Sequence, residues 1–169
     1  EINDDLLSSY NFSARKNITE EAGKFIDSDW LYSYQDDKAI YSESDSYLDT
    51  YIFSLEVDSI NFIPFDWNNT RFSVLAGYEH QYFDYDIHNV VQENFLNGNQ
   101  TEIAGKVLTY EVTYQIPYAG FKFHRLNLKP DYLDWEFILT YSPLVMVKDQ
   151  DIHLLRDKVS VIQARGNAL

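Results

Sequence analysis

The chain has 169 residues and no cysteine, which excludes disulfides, a thiol nucleophile and thiolate metal sites. Its formal net charge of −14 repels nucleic acid and anionic surfaces, so we expect no nucleic-acid partner and an attraction for basic peptides. No run of about 18 apolar residues occurs, which excludes a transmembrane helix, whereas 14 Tyr and 11 Phe favour β-strands.

Segments of alternating apolar and polar residues follow one another at 7–14, 47–57, 71–79, 108–123 and 132–148, and another begins near residue 159. An alternation of period two predicts strands with one apolar face. The two longest segments exceed the roughly five or six residues of soluble strands and suit the strands of a membrane barrel. In the segment 132–148 we expect Trp135, Tyr141 and Val147 on one apolar face.

The predicted connections between these strands alternate in length. Short, turn-rich connections occur at 63–69 and 127–131, and long polar ones at 16–46, 84–105 and 149–158. Short turns at one end and long loops at the other are typical of outer-membrane barrels. The sequence therefore predicts an all-β fold, an antiparallel up-and-down transmembrane β-barrel, with about six strands in this chain. So few strands leave open edges in lipid, and we expect residues 1–169 to form a single domain that is incomplete at both ends.

Two motifs in the predicted long loops carry side chains suited to hydrolysis, Asp27-x-Asp29 and Asp149-x-Asp151-x-His153. In an extended segment, residues two apart project to the same face, so Asp151 can fix the tautomer of His153 and stabilise its protonated form. A second close carboxylate pair can share a proton and bind a water. The sequence therefore offers a candidate catalytic constellation of two pairs.

Spacing alone does not identify a catalytic site in so acidic a chain. Asp84 and Asp86, followed by His88, imitate the Asp-x-Asp-x-His motif in another predicted loop. The histidines have no partner at metal-ligand spacing, so we expect no metal. No Gly-rich phosphate loop and no Gly-x-Ser-x-Gly motif occurs.

Several short segments stand in a characteristic order along the chain. They are Ile2-Asn3-x-Asp5-Leu6, Asp27-Ser28-Asp29-Trp30, Leu75-Ala76-Gly77-Tyr78, Ile116-Pro117-Tyr118-Ala119-Gly120, Leu139-Thr140-Tyr141-Ser142 and Asp149-x-Asp151-x-His153. In this order and at these separations, they resemble the omptin proteases of bacterial outer membranes. The resemblance implies the central part of a barrel that has about ten strands when complete.

The resemblance also implies an aspartyl-type endopeptidase at the cell surface that cleaves at basic residues. By position, Asp27 and Asp29 resemble the aspartate pair of the family, and Asp151 and His153 its Asp–His pair. In omptins, a water between the histidine and the first aspartate attacks the scissile carbonyl. The resemblance makes His153 the general base and Asp151 its orienting partner.

Substrate contacts and environment follow from the same resemblance. Asp149 matches an acidic residue in the pocket for the basic side chain before the cut, and Glu43 the acid on the other side. The implied partners are a basic peptide or protein and outer-membrane lipid. No metal or organic cofactor is implied, and lipopolysaccharide is the implied activator. In its lipid-binding strand, however, the family has an acidic and then a basic residue where this chain has His80 and Tyr82.

Two other functions remain open from the sequence. One is an omptin-like barrel without proteolysis that acts as an adhesin or surface-binding protein. The other is a soluble acidic β-barrel or sandwich that binds a ligand, and the long aromatic alternations argue against it.

Overall fold

The computed structural model describes residues 8–30, 38–60, 70–125 and 134–169, which form a 7-stranded antiparallel sheet. Its strands are β1 (Ser8–Lys16), β2 (Glu21–Trp30), β3 (Lys38–Ile60), β4 (Thr70–Asn94), β5 (Asn99–Arg125), β6 (Trp135–His153) and β7 (Lys158–Ala168). The order is β1-β3-β4-β5-β6-β7, and β2 pairs with the half of β3 that β1 leaves free. β1 and β2 occupy the same position in the sheet, beside β3, so the seven strands fill six positions. The prediction of about six strands is therefore confirmed. Within the described ranges, no helix has the length and apolarity to cross a membrane.

Asn17 joins β1 to β2 along the edge of β3. Its side-chain amide donates to the Leu48 carbonyl at 2.6 Å, and its side-chain oxygen accepts from the Thr50 amide at 2.8 Å. An asparagine side chain thus replaces the backbone groups of a sheet ladder where the strand is interrupted. β1 and β2 therefore form one interrupted strand beside β3.

One face of the sheet carries a band of exposed apolar side chains, since directly paired residues share a face. The band contains Tyr10 and Phe12 of β1, Tyr51, Phe53 and Leu55 of β3, Phe121 and Phe123 of β5, and Trp135, Phe137, Leu139 and Tyr141 of β6. Their exposed fractions run from 36% to 74%. Such a surface is unfavourable in water and is solvated by lipid. We name these residues the apolar band, and the side of the sheet that carries them the outward face.

At the level of the apolar band, the inward face carries contacts between charged and polar side chains. Lys122 Nζ lies 3.3 Å from Asp58 Oδ2 and 3.2 Å from Glu136 Oε2. The Tyr118 hydroxyl donates to Glu56 at 3.1 Å. Polar residues inside and apolar residues outside are the pattern of a transmembrane β-barrel. The predicted all-β, antiparallel fold is therefore confirmed.

Gly77 makes room for this interior packing. It pairs directly with Tyr118, and a Cβ at this position would lie 2.3 Å from Cζ of the Tyr118 ring. A residue without a side chain is therefore required here if the ring is to reach Glu56. Two of the segments that carry the family resemblance, 75–78 and 116–120, pair with each other at this point.

Beyond the apolar band, the outward face becomes charged. Asp49 of β3, Asp84 of β4 and Glu111 of β5 pair directly across this part of the sheet. Charged side chains that face lipid are costly, so these residues mark where the strands leave the membrane. The candidate site residues all lie on this extension of the sheet.

The prediction of long loops at 16–46, 84–105 and 149–158 is wrong for most of these residues. β2 and β3 occupy much of the first stretch, β4 and β5 are joined by a turn at 95–98, and β6 and β7 by a turn at 154–157. Outside lipid, a strand needs no apolar face, and the backbone ladder forms whatever the polarity of the side chains. The predicted short turns at 63–69 and 127–131 lie outside the described residues.

Candidate active site

Asp151 and His153 form a hydrogen-bonded pair near the end of β6. Asp151 Oδ2 lies 3.0 Å from His153 Nε2, and about a third of each side chain is exposed (33% and 34%). When the carboxylate accepts a hydrogen bond from Nε2–H, the lone pair of the imidazole is on Nδ1 and can accept a proton from a nucleophile. The buried Oδ1 of Asp151 has no hydrogen-bond partner among the described residues.

Tyr110 of β5 adjoins this pair and was not predicted as a site residue, because in the sequence it is one position of the alternating segment 108–123. It pairs directly with Asp151, and its hydroxyl makes a long hydrogen bond of 3.4 Å to Asp149 Oδ2. Burial, followed by the charge of Asp149, raises the pKa of the Tyr110 hydroxyl. The hydroxyl therefore remains a donor throughout the neutral range.

A β-bulge in β6 precedes these residues. Ala119 pairs with Tyr141 and Gln115 with Met146, so β6 uses one residue more than β5 between the two pairs. Pro143 lies in this interval, where β7 also changes register. Proline cannot donate to a sheet ladder and is found in strands mainly at edges and bulges.

The bulge determines the face to which the Asp149-x-Asp151-x-His153 motif points. In a regular strand, Asp149, Asp151 and His153 would lie on the same side as Tyr141, which is outward. The extra residue turns them inward, which is a common role of bulges beside active sites. For the same reason, the prediction that Val147 shares a face with Tyr141 is wrong.

Asp27 and Asp29 lie on β2 and pair with Ser42 and Ile40 of β3. Both are exposed, and Asp27 Oδ1 accepts a hydrogen bond from the Ser28 amide at 2.8 Å. The register of β2 on β3 puts both carboxylates on the inward face. They are therefore open to solvent and to a ligand on that side.

The two predicted pairs share the inward face but do not touch. In the sheet order, β3, β4 and β5 lie between β2 and β6. The register, followed from Asp27 through β3, β4 and β5 to Asp151, keeps both on one side of the sheet. Side chains on one face of a sheet that closes into a barrel point towards one another across its interior.

Glu43 is placed differently from the other predicted site residues. It lies on the outward face of β3, where its Oε1 is 3.6 Å from Lys24 Nζ. Residues next to each other on a strand point to opposite faces, so Glu43 is turned away from Asp27 and its partner Ser42. A contact between Glu43 and a ligand on the inward face is not supported by this geometry.

The competing motif, Asp84, Asp86 and His88, also lies on the outward face. Asp86 binds Lys106 and accepts from Thr109, while the His88 ring packs edge-on against Tyr47 at 5.1 Å. These contacts give the motif a structural role on β4. No group of three His, Asp or Glu side chains in the described ranges is arranged to hold a metal ion.

Comparisons with known proteins agree with this architecture. The sequence model of the omptin family matches residues 1–166. The crystal structure of the outer membrane protease OmpT from Escherichia coli superposes with a TM-score of 0.68 at 19% identity. That match covers 94% of this chain and 55% of OmpT, so the chain spans little more than half of that structure. No curated protein matches the sequence.

The two comparisons concern different properties. At 19% identity, the OmpT structure establishes the fold alone, an antiparallel β-barrel. The family model rests on the sequence and extends over nearly the whole chain. On the ground of the family model, this chain belongs to the omptin family, a family of bacterial outer-membrane proteases.

Proposed function

We propose that this barrel is an aspartyl-type endopeptidase that hydrolyses peptide bonds at basic residues on the cell surface. The observation that carries the proposal is the common inward face of the Asp27–Asp29 and Asp151–His153 pairs, beyond the apolar band. A hydrolase needs a base and a water-binding group on one accessible surface. The proposal invokes no metal or organic cofactor.

In the proposed mechanism, a water bound between Asp27 and His153 is the nucleophile. The imidazole takes a proton from the water, and the oxygen forms a bond to the scissile carbonyl carbon. The tetrahedral intermediate then breaks its C–N bond, and the imidazolium returns the proton to the leaving amine. Asp151 holds the ring by its 3.0 Å hydrogen bond and stabilises the imidazolium. Asp29 assists Asp27 in binding the water.

Basic substrates suit the charge of the proposed site. Asp149 lies on the inward face beside the catalytic pair, and Tyr110 donates to one of its oxygens. The other carboxylate oxygen can accept hydrogen bonds from a Lys or Arg side chain. The net charge of −14 adds a long-range attraction for a cationic peptide.

We also propose that further strands complete the barrel and that outer-membrane lipid surrounds it. The sheet ends at β1 and β2 on one side and at β7 on the other. Open strand edges do not occur in the hydrocarbon region, because their backbone groups would have no partner. Lipopolysaccharide is the proposed activator, and its effect is measured in the test below.

The test is cleavage of a fluorogenic Arg-Arg peptide by the full-length protein in detergent, with and without lipopolysaccharide. His153→Ala and Asp151→Asn are compared with the wild type, and His88→Ala is the control from the outward motif. We expect the first two variants to lose at least about a hundredfold in kcat, and the control to retain activity.

Other outcomes would contradict the proposal. Activity that survives His153→Ala but not His88→Ala would place the base on the outward face. A folded wild type that cleaves neither this peptide nor an Ala-Ala analogue, but binds the basic peptide, would instead indicate a surface-binding protein or adhesin.

A further inference from the structure

The register of β2 on β3 is weakly specified by apolar residues. Phe25 points inward and Ile26 outward, with exposed fractions of 41% and 58%. The pairing does not continue that of β1, because it shifts between Glu21 and Gly23, where Gly23 has φ 103°. A slip of one residue would turn every side chain of β2 to the other face. Something within β2 must therefore hold its register.

Lys24 of β2 forms ion pairs with two carboxylates of the neighbouring strand, β3. It pairs directly with Asp45 on the outward face, and its Nζ lies 2.8 Å from Asp45 Oδ1 and 3.6 Å from Glu43 Oε1. After a slip of one residue, the ammonium group would point inward. The carboxylates of Asp45 and Glu43 would then lose their ion pairs with Lys24.

Asp45 also accepts a hydrogen bond from a side chain of β4, the strand on the other side of β3. The Asn89 amide donates to Asp45 Oδ2 at 3.0 Å, and Asn89 Oδ1 accepts from the Gly105 amide at 3.0 Å. Asn89 has φ 54° and Gly105 has φ 85°, and both lie where the pairing of β4 with β5 is irregular. Asn89 therefore links β3, β4 and β5 and fixes the carboxylate on which Lys24 docks.

We propose that Lys24, docked on the Asp45 carboxylate that Asn89 holds in place, sets the register of β2 and keeps Asp27 and Asp29 on the inward face. Lys24 is then a positioning residue, because it lies on the outward face, whereas the carboxylates of Asp27 and Asp29 lie on the inward face. That the register of β2 matters for catalysis rests on the proposed function. The register itself can be measured without any peptide cleavage.

Cross-linking of cysteine pairs reports the register directly, because the chain has no cysteine of its own. Ser28 and Tyr41 pair directly on the outward face, so Ser28→Cys with Tyr41→Cys reports the native register. Asp27→Cys with Tyr41→Cys reports a slip of one residue, since these side chains share a face only after the slip. A disulfide forms only when the Cβ vectors converge, so each pair is specific to one register.

Each cysteine pair is combined with Lys24→Glu in the full-length protein folded in lipid vesicles. We expect the native cross-link to fall about fivefold or more and the slipped cross-link to rise, because a third carboxylate then faces Asp45 and Glu43. Lys24→Arg should retain the native pattern. Lys24→Gln, which adds no repulsion, should give a smaller change in the same direction.

Lys106→Glu is the matched control, since Lys106 is also an outward lysine paired with a carboxylate, that of Asp86, but does not contact β2. A native cross-link unchanged by both Lys24→Glu and Lys24→Gln would overturn the proposal. So would an equal loss of that cross-link in Lys106→Glu.

Peptide cleavage supplies a second readout that separates this inference from the proposed function. In proteins without cysteines, Lys24→Glu should lower kcat with little change in KM, because Asp149 lies on another strand, β6. A wild type without any cleavage would contradict the proposed function, while the cross-links would still decide whether Lys24 sets the register.

Discussion

Replacing Lys122 by Met tests how the inward charges hold the barrel together. The Lys122 side chain is 19% exposed and contacts Asp58, which is 6% exposed, and Glu136, which is 41% exposed. Without the ammonium, Glu136 can be stabilised by water. Asp58 cannot, because it is buried and its Oδ1 has no partner among the described residues.

The expected cost follows from the buried charge that remains. Removing one partner of a buried ion pair costs about 3–5 kcal/mol, because the other charge is left uncompensated. This corresponds to a roughly 100- to 5,000-fold change in the folding equilibrium. Removing both charges costs much less, so Lys122→Met combined with Asp58→Asn should recover most of the loss.

The assay is a urea titration of the full-length barrel in lipid vesicles, followed by tryptophan fluorescence. Lys106→Met is the control, since Lys106 and its partner Asp86 are on the outward face, with 40% and 33% of their side chains exposed. Such a pair contributes at most about 1 kcal/mol. A cost for Lys122→Met no larger than that for Lys106→Met, or no recovery on adding Asp58→Asn, would show that Asp58 is not left as an uncompensated buried charge.

Three further predictions concern single contacts. Tyr110→Phe removes the hydrogen bond to the carboxylate of the proposed pocket, so we expect a roughly two- to tenfold rise in KM for a basic peptide in steady-state kinetics. Gly77→Ala places a methyl group against the Tyr118 ring, and we expect a loss of about 1–3 kcal/mol in the urea titration. The hydrogen bond from Lys24, then that from the Asn89 side chain, hold the pKa of Asp45 below its ordinary value of 3.8, with a smaller contribution from the charge of the nearby His88 imidazole. The ratio of the native Ser28–Tyr41 cross-link to the slipped Asp27–Tyr41 cross-link cancels the pH dependence of thiol oxidation itself. This ratio should therefore be constant above pH 3.8 and fall only as the pH drops through the lowered pKa.

Each of these predictions has a matched control. Tyr114→Phe alters a tyrosine that pairs with Val147 and for which no hydrogen bond to Asp149 is observed, and should leave KM unchanged. Gly166→Ala adds a methyl group with nothing within 4 Å, so equal costs for Gly166→Ala and Gly77→Ala would contradict the packing argument. A ratio of the two cross-links that already falls well above pH 3.8 would mean that a group other than Asp45 controls the register.

The sequence predicts the membrane-facing part of the fold well. Lipid favours apolar side chains on the outward face, and Tyr51, Phe53 and Leu55 of β3 supply them there. On β5 the order is reversed at the same level, since Thr113 and Gln115 point outward and Tyr114 points inward. The period of two therefore predicts the strands, but not which face of each strand points outward. Beyond the apolar band the preference for apolar side chains ends, and the polar stretches predicted as loops are strands.

The candidate site could be predicted in part. The pairing of Asp151 with His153 follows from their spacing on an extended chain, and their 3.0 Å contact confirms it. The direction in which they point depends on the bulge at Pro143, which one strand alone does not reveal. Tyr110 escaped notice for a similar reason, because only the register of β5 on β6 brings it to Asp149.

The proposed mechanism requires that the two pairs act on one water, and a double-mutant cycle tests this most directly. The measurement is kcat for the Arg-Arg peptide with Asp27→Asn, His153→Ala and both together. Residues that act as a unit are strongly non-additive, so we expect the double variant to be about as slow as the slower single variant. Losses that multiply in the double variant would show that Asp27 and His153 act independently, and would contradict the mechanism.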